Sequence, residues 1–68
     1  MQKFSIFVDP EKIEPVISEM AGWGIEVTLI SGGGPEALIH CEAIDEDLKW
    51  FVDNNSFEIN ENSIIYEE

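Results

Sequence analysis

The sequence has no arginine, one cysteine and one histidine among its 68 residues. A single cysteine excludes an internal disulfide framework and is typical of a reducing compartment, so we expect a cytoplasmic protein. The N-terminus shows alternation instead of a long apolar run, which predicts neither a secretory signal nor a membrane span. No metal-binding motif is present, and we expect neither a metal nor a cofactor.

Acidic residues are what the chain has in excess. Fifteen aspartates and glutamates oppose three lysines, which gives a formal net charge of -12. Ten of the fifteen lie in residues 36–68, beside a single lysine, so the C-terminal half is the acidic one. Because 44% of the residues are hydrophobic, the chain is expected to fold as one domain over residues 1–68. So small a core is usually supported by self-association, and we expect a homodimer.

The first half of the chain predicts a strand, a helix and a second strand. Apolar alternation over residues 3–8 indicates a strand with one buried face. Apolar residues spaced three and four apart from Ile13 to Met20 predict a helix, with an entry turn at residues 9–13 and a regular part beginning near Glu14 or Pro15. Gly22 and Gly24 end that helix, and residues 25–30 alternate as the second strand.

The second half predicts a hairpin, a second helix and a last strand. Residues 31–35 have turn chemistry and residues 36–43 continue as a third strand. Three acids open the second helix, whose apolar side consists of Ile44, Leu48, Phe51 and Val52. Residues 57–59 and 63–66 form either one interrupted strand or a short hairpin. The order βαββαβ predicts an α+β, ferredoxin-like fold, with a four-stranded antiparallel sheet and both helices on one face.

Residues 7–16, together with the Gly-Ile-Glu-Val stretch at 24–27, resemble the first βαβ unit of nitrogen-regulatory PII proteins and ACT domains. This resemblance implies a regulatory domain that binds a small metabolite at a dimer interface. The long nucleotide-sensing loop that PII proteins carry between the second and third strands is replaced here by Gly32-Gly33-Gly34.

The residue types that could support catalysis are not arranged for it. His40 and Cys41 are adjacent in a predicted strand, so their side chains should lie on opposite faces and cannot act as a base and nucleophile. The triple glycine leads into a strand instead of a lysine-bearing helix, which favours a hairpin turn over a phosphate loop. The acids at 45–47 lack the spacing of a calcium loop. We therefore expect a binding protein and not an enzyme.

By alternation, the sheet face away from the helices is predicted to carry several large apolar side chains. Its residues are Phe7, Thr28, Ile30, Leu38 and His40, with either Tyr66 or Ile65 from the last strand. Such a patch usually marks an interface, here with a second copy of the chain, unless the last segment folds across it. The predicted dimer interface consists of Phe7, Ile30, Leu38, His40 and Tyr66.

The outer side of the helices and the C-terminal edge are predicted to form an acidic, partner-binding surface. Its members are Glu11, Glu14, Glu19, Asp45, Glu46, Asp47, Trp50, Asp53, Glu58 and Glu61, continued by Glu67 and Glu68. Duplex DNA carries one negative charge per about 1.7 Å of axis, and a chain this small and acidic approaches that density. Trp50 is either an exposed binding anchor or a residue at the edge of the core.

In size and charge the chain resembles small acidic phage-encoded inhibitors, which block the nucleoid protein HU, host polymerases or CRISPR effectors. This compositional resemblance implies a DNA mimic that acts in the host cytoplasm on a basic nucleic-acid-binding protein, without binding nucleic acid or membrane itself. The alternatives are an ACT-like or PII-like ligand-binding domain, a protein adaptor that uses the open sheet face, or acidity that only maintains solubility.

Overall fold

A computed structural model describes residues 1–32 and 34–67. Gly33 of the predicted hairpin turn and Glu68 of the predicted acidic edge lie outside the described residues. The strands are β1 (Gln2–Val8), β2 (Glu26–Ser31), β3 (Ala37–Ala43) and β4 (Ile65–Tyr66), and the helices are α1 (Ile13–Gly22) and α2 (Asp45–Asn54). The sheet is antiparallel with the order β2-β3-β1-β4. The predicted ferredoxin-like fold is confirmed.

The hydrophobic core lies between one face of the sheet and the two helices. Alternate residues of β1 are buried, as the period-two pattern predicted, and the β3 residues Ile39 and Cys41 continue the same layer. Met20 of α1 and Phe51 of α2 are fully buried against them. Burial of a side chain such as Phe51 stabilises a fold by about 1.5–3 kcal/mol, so a few such contacts hold the helices in place.

α1 is entered through a short 3-10 turn at Pro10–Lys12, in which the Lys12 amide donates to the Asp9 carbonyl at 2.8 Å. The predicted entry turn is therefore present, and the helix begins at Ile13, slightly earlier than expected. Pro15 lies in the first helical turn, where an amide has no partner within the helix, so its missing N–H costs no helical hydrogen bond.

The last segment differs from both predicted forms, since residues 57–60 form no strand and no hairpin. The side chain of Asn55 holds this stretch by accepting from the amides of Phe57 and Ile59 at 3.0 Å and donating to the Ile59 carbonyl at 2.6 Å. Glu58 has φ 61°, a left-handed conformation that a strand does not permit. A 3-10 turn at Glu61–Ser63 follows, and only then does β4 begin.

An irregularity in β2 changes which residues lie on the outer sheet face, away from the helices. Val27 pairs with Cys41, but Leu29 pairs with His40, so Thr28 is an extra residue and forms a bulge. One extra residue reverses the alternation that follows it. Ile30 consequently pairs with the buried Ile39 on the helix side, and its predicted place on the outer face is wrong.

The same correction applies to Tyr66. It pairs with the buried Phe4, whereas Ile65 pairs with Ser5 of the outer face. Tyr66 therefore lies on the helix side of the sheet, so its predicted place on the outer face is wrong, and the alternative, Ile65, lies there instead. Within the described part of the chain, no helix combines the length and the apolar content needed to cross a membrane.

Candidate acidic binding surface

The outward side of α2 presents an acidic face with an aromatic residue at its centre. Leu48 and Phe51 are buried and place one side of α2 against the core. The three acids in the first turn of α2 are stabilised there by the helix dipole. Four residues spaced at i, i+3, i+4 and i+7 then share the opposite side and line a shallow cleft. This α2 face consists of Glu46, Lys49, Trp50 and Asp53.

Trp50 is the large side chain that the α2 face leaves in solvent. It is 54% exposed and lies outside the group of residues packed against the core. The sequence predicted that Trp50 is either exposed or at the edge of the core, and the structure shows the exposed position. Its neighbours in the cleft are the carboxylates of Glu46 and Asp53, which are about 10 Å apart along the axis at 1.5 Å per residue.

A groove of about 450 Å³ lies on the other side of α2, towards β4. Leu48 and Val52 supply its apolar part, and the ring of Tyr66 lines it from β4. We call it the α2–β4 groove, and its remaining lining residues are Gln2, Asp45, Lys49, Asp53 and Glu61. Lys49 and Asp53 belong to both the groove and the α2 face, so the two are continuous across the helix.

Glu61 is placed at the groove by a capped turn. The side chain of Asn60 accepts from the Asn62 amide at 2.8 Å, while the Ser63 hydroxyl accepts from the Asn60 amide at 3.4 Å. This reciprocal arrangement is a capping box, which fixes the entry of the turn. Local hydrogen bonds therefore hold the turn from which the exposed Glu61 side chain extends.

The other predicted surface acids do not join this group. Glu11 and Glu14 are exposed at the start of α1, and Glu58 lies in the irregular loop. Glu19 accepts from the amide and the hydroxyl of Ser56 at 2.9 and 2.8 Å, so it links α1 to the chain after α2. Asp47 is half-buried and lies against Gly24.

The lysines leave most of the acidic charge on α2 unneutralised. Lys3 pairs with Glu42 at 3.7 Å, and Lys12 pairs with Asp9 at 3.9 Å. Both pairs are on other elements, and with at least one well-exposed partner at distances near 4 Å they contribute little to stability. Lys49 is the lysine that lines the α2 face and the groove, where it stands among Glu46, Asp45, Asp53 and Glu61.

A separate polar cluster occupies the centre of the outer sheet face, where His40 was predicted to lie. His40 Nδ1 is 3.0 Å from Ser5 Oγ and 3.1 Å from Glu67 Oε2, and His40 Nε2 is 3.2 Å from Ser31 Oγ. Ser5 Oγ donates to Glu67 Oε2 at 2.5 Å. We call these four residues the sheet-face cluster.

The hydrogen bonds of the sheet-face cluster determine the tautomer of His40. Because the Ser5 hydroxyl proton is donated to Glu67, both partners of Nδ1 act as acceptors, and Nδ1 must carry a proton. In the neutral ring Nε2 then accepts from Ser31. The hydrogen bonds from Ser5 and then His40 lower the pKa of the Glu67 carboxyl.

The sheet-face cluster connects the whole sheet, because Ser31, His40 and Ser5 come from β2, β3 and β1, and Glu67 directly follows β4. Sequence alternation placed His40 on this face but could not find its partners, since they depend on the strand register. Cys41, as predicted, lies on the opposite face, where burial raises the pKa of its thiol to about 12. The thiol is therefore neutral near pH 7, and His40 does not activate it.

Apolar side chains lie on the outer sheet face beside this cluster. Phe7 and Leu38 lie on it as predicted, with Phe7 exposed and Leu38 half-buried. The bulge adds Leu29, which is 58% exposed, and β4 adds the exposed Ile65. The face thus has the apolar character that the sequence predicted, with Leu29 and Ile65 in place of Ile30 and Tyr66.

Within residues 1–32 and 34–67, no group of three histidine, cysteine or acidic side chains is placed to hold a metal ion. No family model matches the sequence, and neither the curated proteins nor the solved structures contain a match to the chain.

Proposed function

We propose that this protein is a DNA mimic, which inhibits a basic nucleic-acid-binding host protein by occupying the surface where that protein binds DNA. The observation that carries the proposal is the α2 face, on which the exposed Trp50 stands between the carboxylates of Glu46 and Asp53. The face therefore combines the charge that a DNA-binding surface attracts with an apolar anchor that such a surface can bury.

The charge density of the molecule supports this function. The longest dimension is 31 Å, and the formal net charge is -12. Duplex DNA of the same length carries roughly 18 charges at one per about 1.7 Å. A basic protein that binds this chain can therefore form a large part of the ion pairs that it forms with DNA, and it is steered towards the chain by the same long-range attraction.

Trp50 supports specificity beyond charge. Tryptophan is enriched among the residues that dominate binding energy, because it buries a large rigid area at a low entropic cost. An exposed tryptophan gains that energy only when a partner covers it. Charge alone would make the interaction promiscuous, whereas Trp50 favours targets that have an apolar recess beside their basic surface.

The test is capture of host proteins on the immobilised chain, followed by elution with either salt or excess duplex DNA. We expect the captured proteins to be basic nucleic-acid-binding proteins that both treatments release. The double variant Glu46→Gln/Asp53→Asn and the single variant Trp50→Ala should each weaken capture at least tenfold.

The matched control for charge is Glu26→Gln/Glu36→Gln, which removes two exposed charges away from α2. It should retain most of the capture. Captured proteins that duplex DNA does not displace, or equal losses in the two double variants, would overturn the mimicry proposal.

The same proposal includes a second copy of the chain on the outer sheet face. Two molecules of charge -12 repel each other, so they can approach only where carboxylates are few. On this face the Glu67 carboxylate is hydrogen-bonded to Ser5 and His40, and the exposed Phe7, Leu29 and Ile65 supply apolar area beside it. We expect a dimer in analytical ultracentrifugation, converted to a monomer by Leu29→Asp but not by Trp50→Ala. A monomeric wild-type chain at 0.5 mM and physiological salt would overturn this part.

A further inference from the structure

We propose that the α2–β4 groove is a binding pocket for a single arginine side chain of the basic partner. The inference rests on the proposed function and identifies which chemical group of the partner the chain recognises. It is carried by the lining of the groove, in which carboxylates, an apolar wall and an aromatic ring converge on one concave space.

The charges of the groove select a cation. Asp45, Asp53 and Glu61 line it against the single positive charge of Lys49, so a group that enters meets a net negative site. An anion or a neutral polar group would leave these carboxylates uncompensated. A cation is attracted by all three carboxylates, and one with several N–H groups can donate hydrogen bonds to them.

The apolar part of the groove excludes a simple inorganic cation as the matching ligand. Leu48 and Val52 offer no oxygen to a metal ion, and the described lining residues do not form a group that could hold one. They do match an aliphatic stem, such as the three methylene groups that carry a guanidinium. The ligand is thus a cationic head on an apolar chain.

Tyr66 favours arginine over lysine. Its side chain is half-exposed and lines the groove from β4, so its ring is available to a ligand. A planar guanidinium stacks on such a ring and binds a carboxylate through two parallel hydrogen bonds. A lysine ammonium is more strongly hydrated and does neither as well, so we expect it to bind more weakly.

The groove is formed before any partner arrives. Its volume of about 450 Å³ falls within the range of about 300–1,000 Å³ that is usual for ligand sites. The backbone of Asp45 is held in the first turn of α2, and the backbone of Glu61 is held in the turn that the capping box of Asn60 fixes. No backbone segment of the groove has to be ordered on binding, which favours recognition of even one side chain.

The experiment is a titration of the full ¹⁵N-labelled chain with N-acetyl-arginine amide at physiological salt, followed by NMR. We expect the amide shifts to change mainly at Leu48, Val52 and Tyr66, with binding at least threefold tighter than for N-acetyl-lysine amide. Asp53→Asn/Glu61→Gln should weaken arginine binding about tenfold, and the charge control Glu26→Gln/Glu36→Gln should change it less than twofold.

Two further variants separate the ring from the fold. Tyr66→Phe keeps an aromatic ring and should retain binding, whereas Tyr66→Ala should lose most of it; the unchanged remainder of each spectrum reports that the chain is folded. Shifts spread over the whole surface, or equal responses to arginine and lysine, would overturn the proposal. Because the titration needs no partner, arginine binding in the groove without any captured basic protein would overturn the proposed function and leave the groove assignment standing.

Discussion

Gly24 lies where the end of α1 meets the first turn of α2. Its φ is +81°, a left-handed conformation that glycine adopts without steric cost. A Cβ at this position would lie 2.7 Å from Asp47 Oδ2, so the glycine also leaves room for the Asp47 carboxylate. One residue thus ends α1 and makes space for an acid of α2. The sequence indicated the first role but gave no sign of the second, which depends on tertiary packing.

We predict that Gly24→Ala lowers the free energy of unfolding by about 1–2 kcal/mol, because alanine resists the left-handed conformation. Gly22 is the matched control, since it is the last residue of α1 and an added Cβ there meets nothing within 4 Å. Gly22→Ala should be neutral or stabilising by up to about 1 kcal/mol through helix propensity. Chemical denaturation measures both values, and effects of equal sign would contradict the interpretation.

At the scale of elements, the segment between α2 and β4 is organised by one side chain. Asn55 Nδ2 donates to the carbonyls of Phe51, Val52 and Ile59, and its Oδ1 accepts from the amides of Phe57 and Ile59. These side-chain hydrogen bonds satisfy backbone amides and carbonyls that a helix or a strand would otherwise satisfy. The chain can therefore leave α2 without starting a strand.

We predict that Asn55→Ala lowers the free energy of unfolding by about 2–3 kcal/mol, because it leaves several partly buried backbone groups without a partner. Asn54→Ala is the control, as the Asn54 side chain makes an exposed hydrogen bond to the Trp50 carbonyl, and its loss should cost less than about 0.5 kcal/mol. Both are measured by urea denaturation. Similar costs for the two variants would show that Asn55 does not organise the loop.

β4 is only two residues long and depends on contacts beyond its own ladder. The Glu67 amide donates to the Lys3 carbonyl at 2.9 Å, and the Glu67 carboxylate accepts from Ser5 and His40. These bonds lower the pKa of Glu67 from its ordinary 4.5. A lowered pKa in the folded state stabilises the fold fully above the ordinary value, and this contribution disappears as the pH falls through the folded value.

We therefore predict that Glu67→Gln is less stable than the wild-type chain at pH 7, and that this difference shrinks as the pH falls below 4.5. Denaturation midpoints of both proteins across this range measure the difference. The exposed Glu26→Gln is the charge control. A difference that stays constant down to pH 3 would exclude the carboxylate as the source of the stabilisation.

The order of elements was predictable because periodicity and turn residues act locally. Residues 3–8, the apolar stripe from Ile13 and the acidic start of α2 all became the elements that they predicted. Two features did not follow from periodicity or turn residues. The bulge at Thr28 moved Ile30 to the other face, and the Asn55 hydrogen bonds prevented residues 57–59 from pairing as a strand.

The candidate site was predictable in composition but not in shape. The acidic run at 45–47 and Trp50 were recognised from the sequence, whereas the α2–β4 groove was not. Its formation requires that Tyr66 lies on the helix side of the sheet, which follows from the pairing of Tyr66 with Phe4. Alternation predicts that Ile65 and Tyr66 lie on opposite faces of the sheet. Only the register with β1 decides which of the two faces the helices.

At the scale of the whole molecule, the acidic side chains repel one another in the folded state. The molecule measures 31 × 27 × 20 Å, and its charges therefore interact across its full width at low ionic strength, where the Debye length is about 30 Å at 0.01 M. At 0.15 M this length falls to about 8 Å, and distant carboxylates no longer interact. In dilute buffer, repulsion among the carboxylates therefore destabilises the compact folded state.

We predict that the melting temperature rises by at least about 5 °C between 10 mM and 500 mM NaCl, which corresponds to roughly 1 kcal/mol for a domain of this size. Glu46→Gln/Asp53→Asn should show a smaller rise, because two of the repelling charges are absent. Circular dichroism at matched protein concentrations measures both. A melting temperature that is independent of salt would mean that the charges of the folded chain do not interact.

The bulge at Thr28 has a consequence for how the molecule behaves at high concentration. β2 is an outer strand of the sheet, and its free side offers backbone groups to which a strand of another molecule could add. The irregular backbone at Thr28 interrupts the even spacing that such an addition requires. With the exposed Leu29 and Ile30 directly after it, an uninterrupted β2 would be a template for fibrous aggregation. The extra residue thus protects an apolar edge from polymerisation.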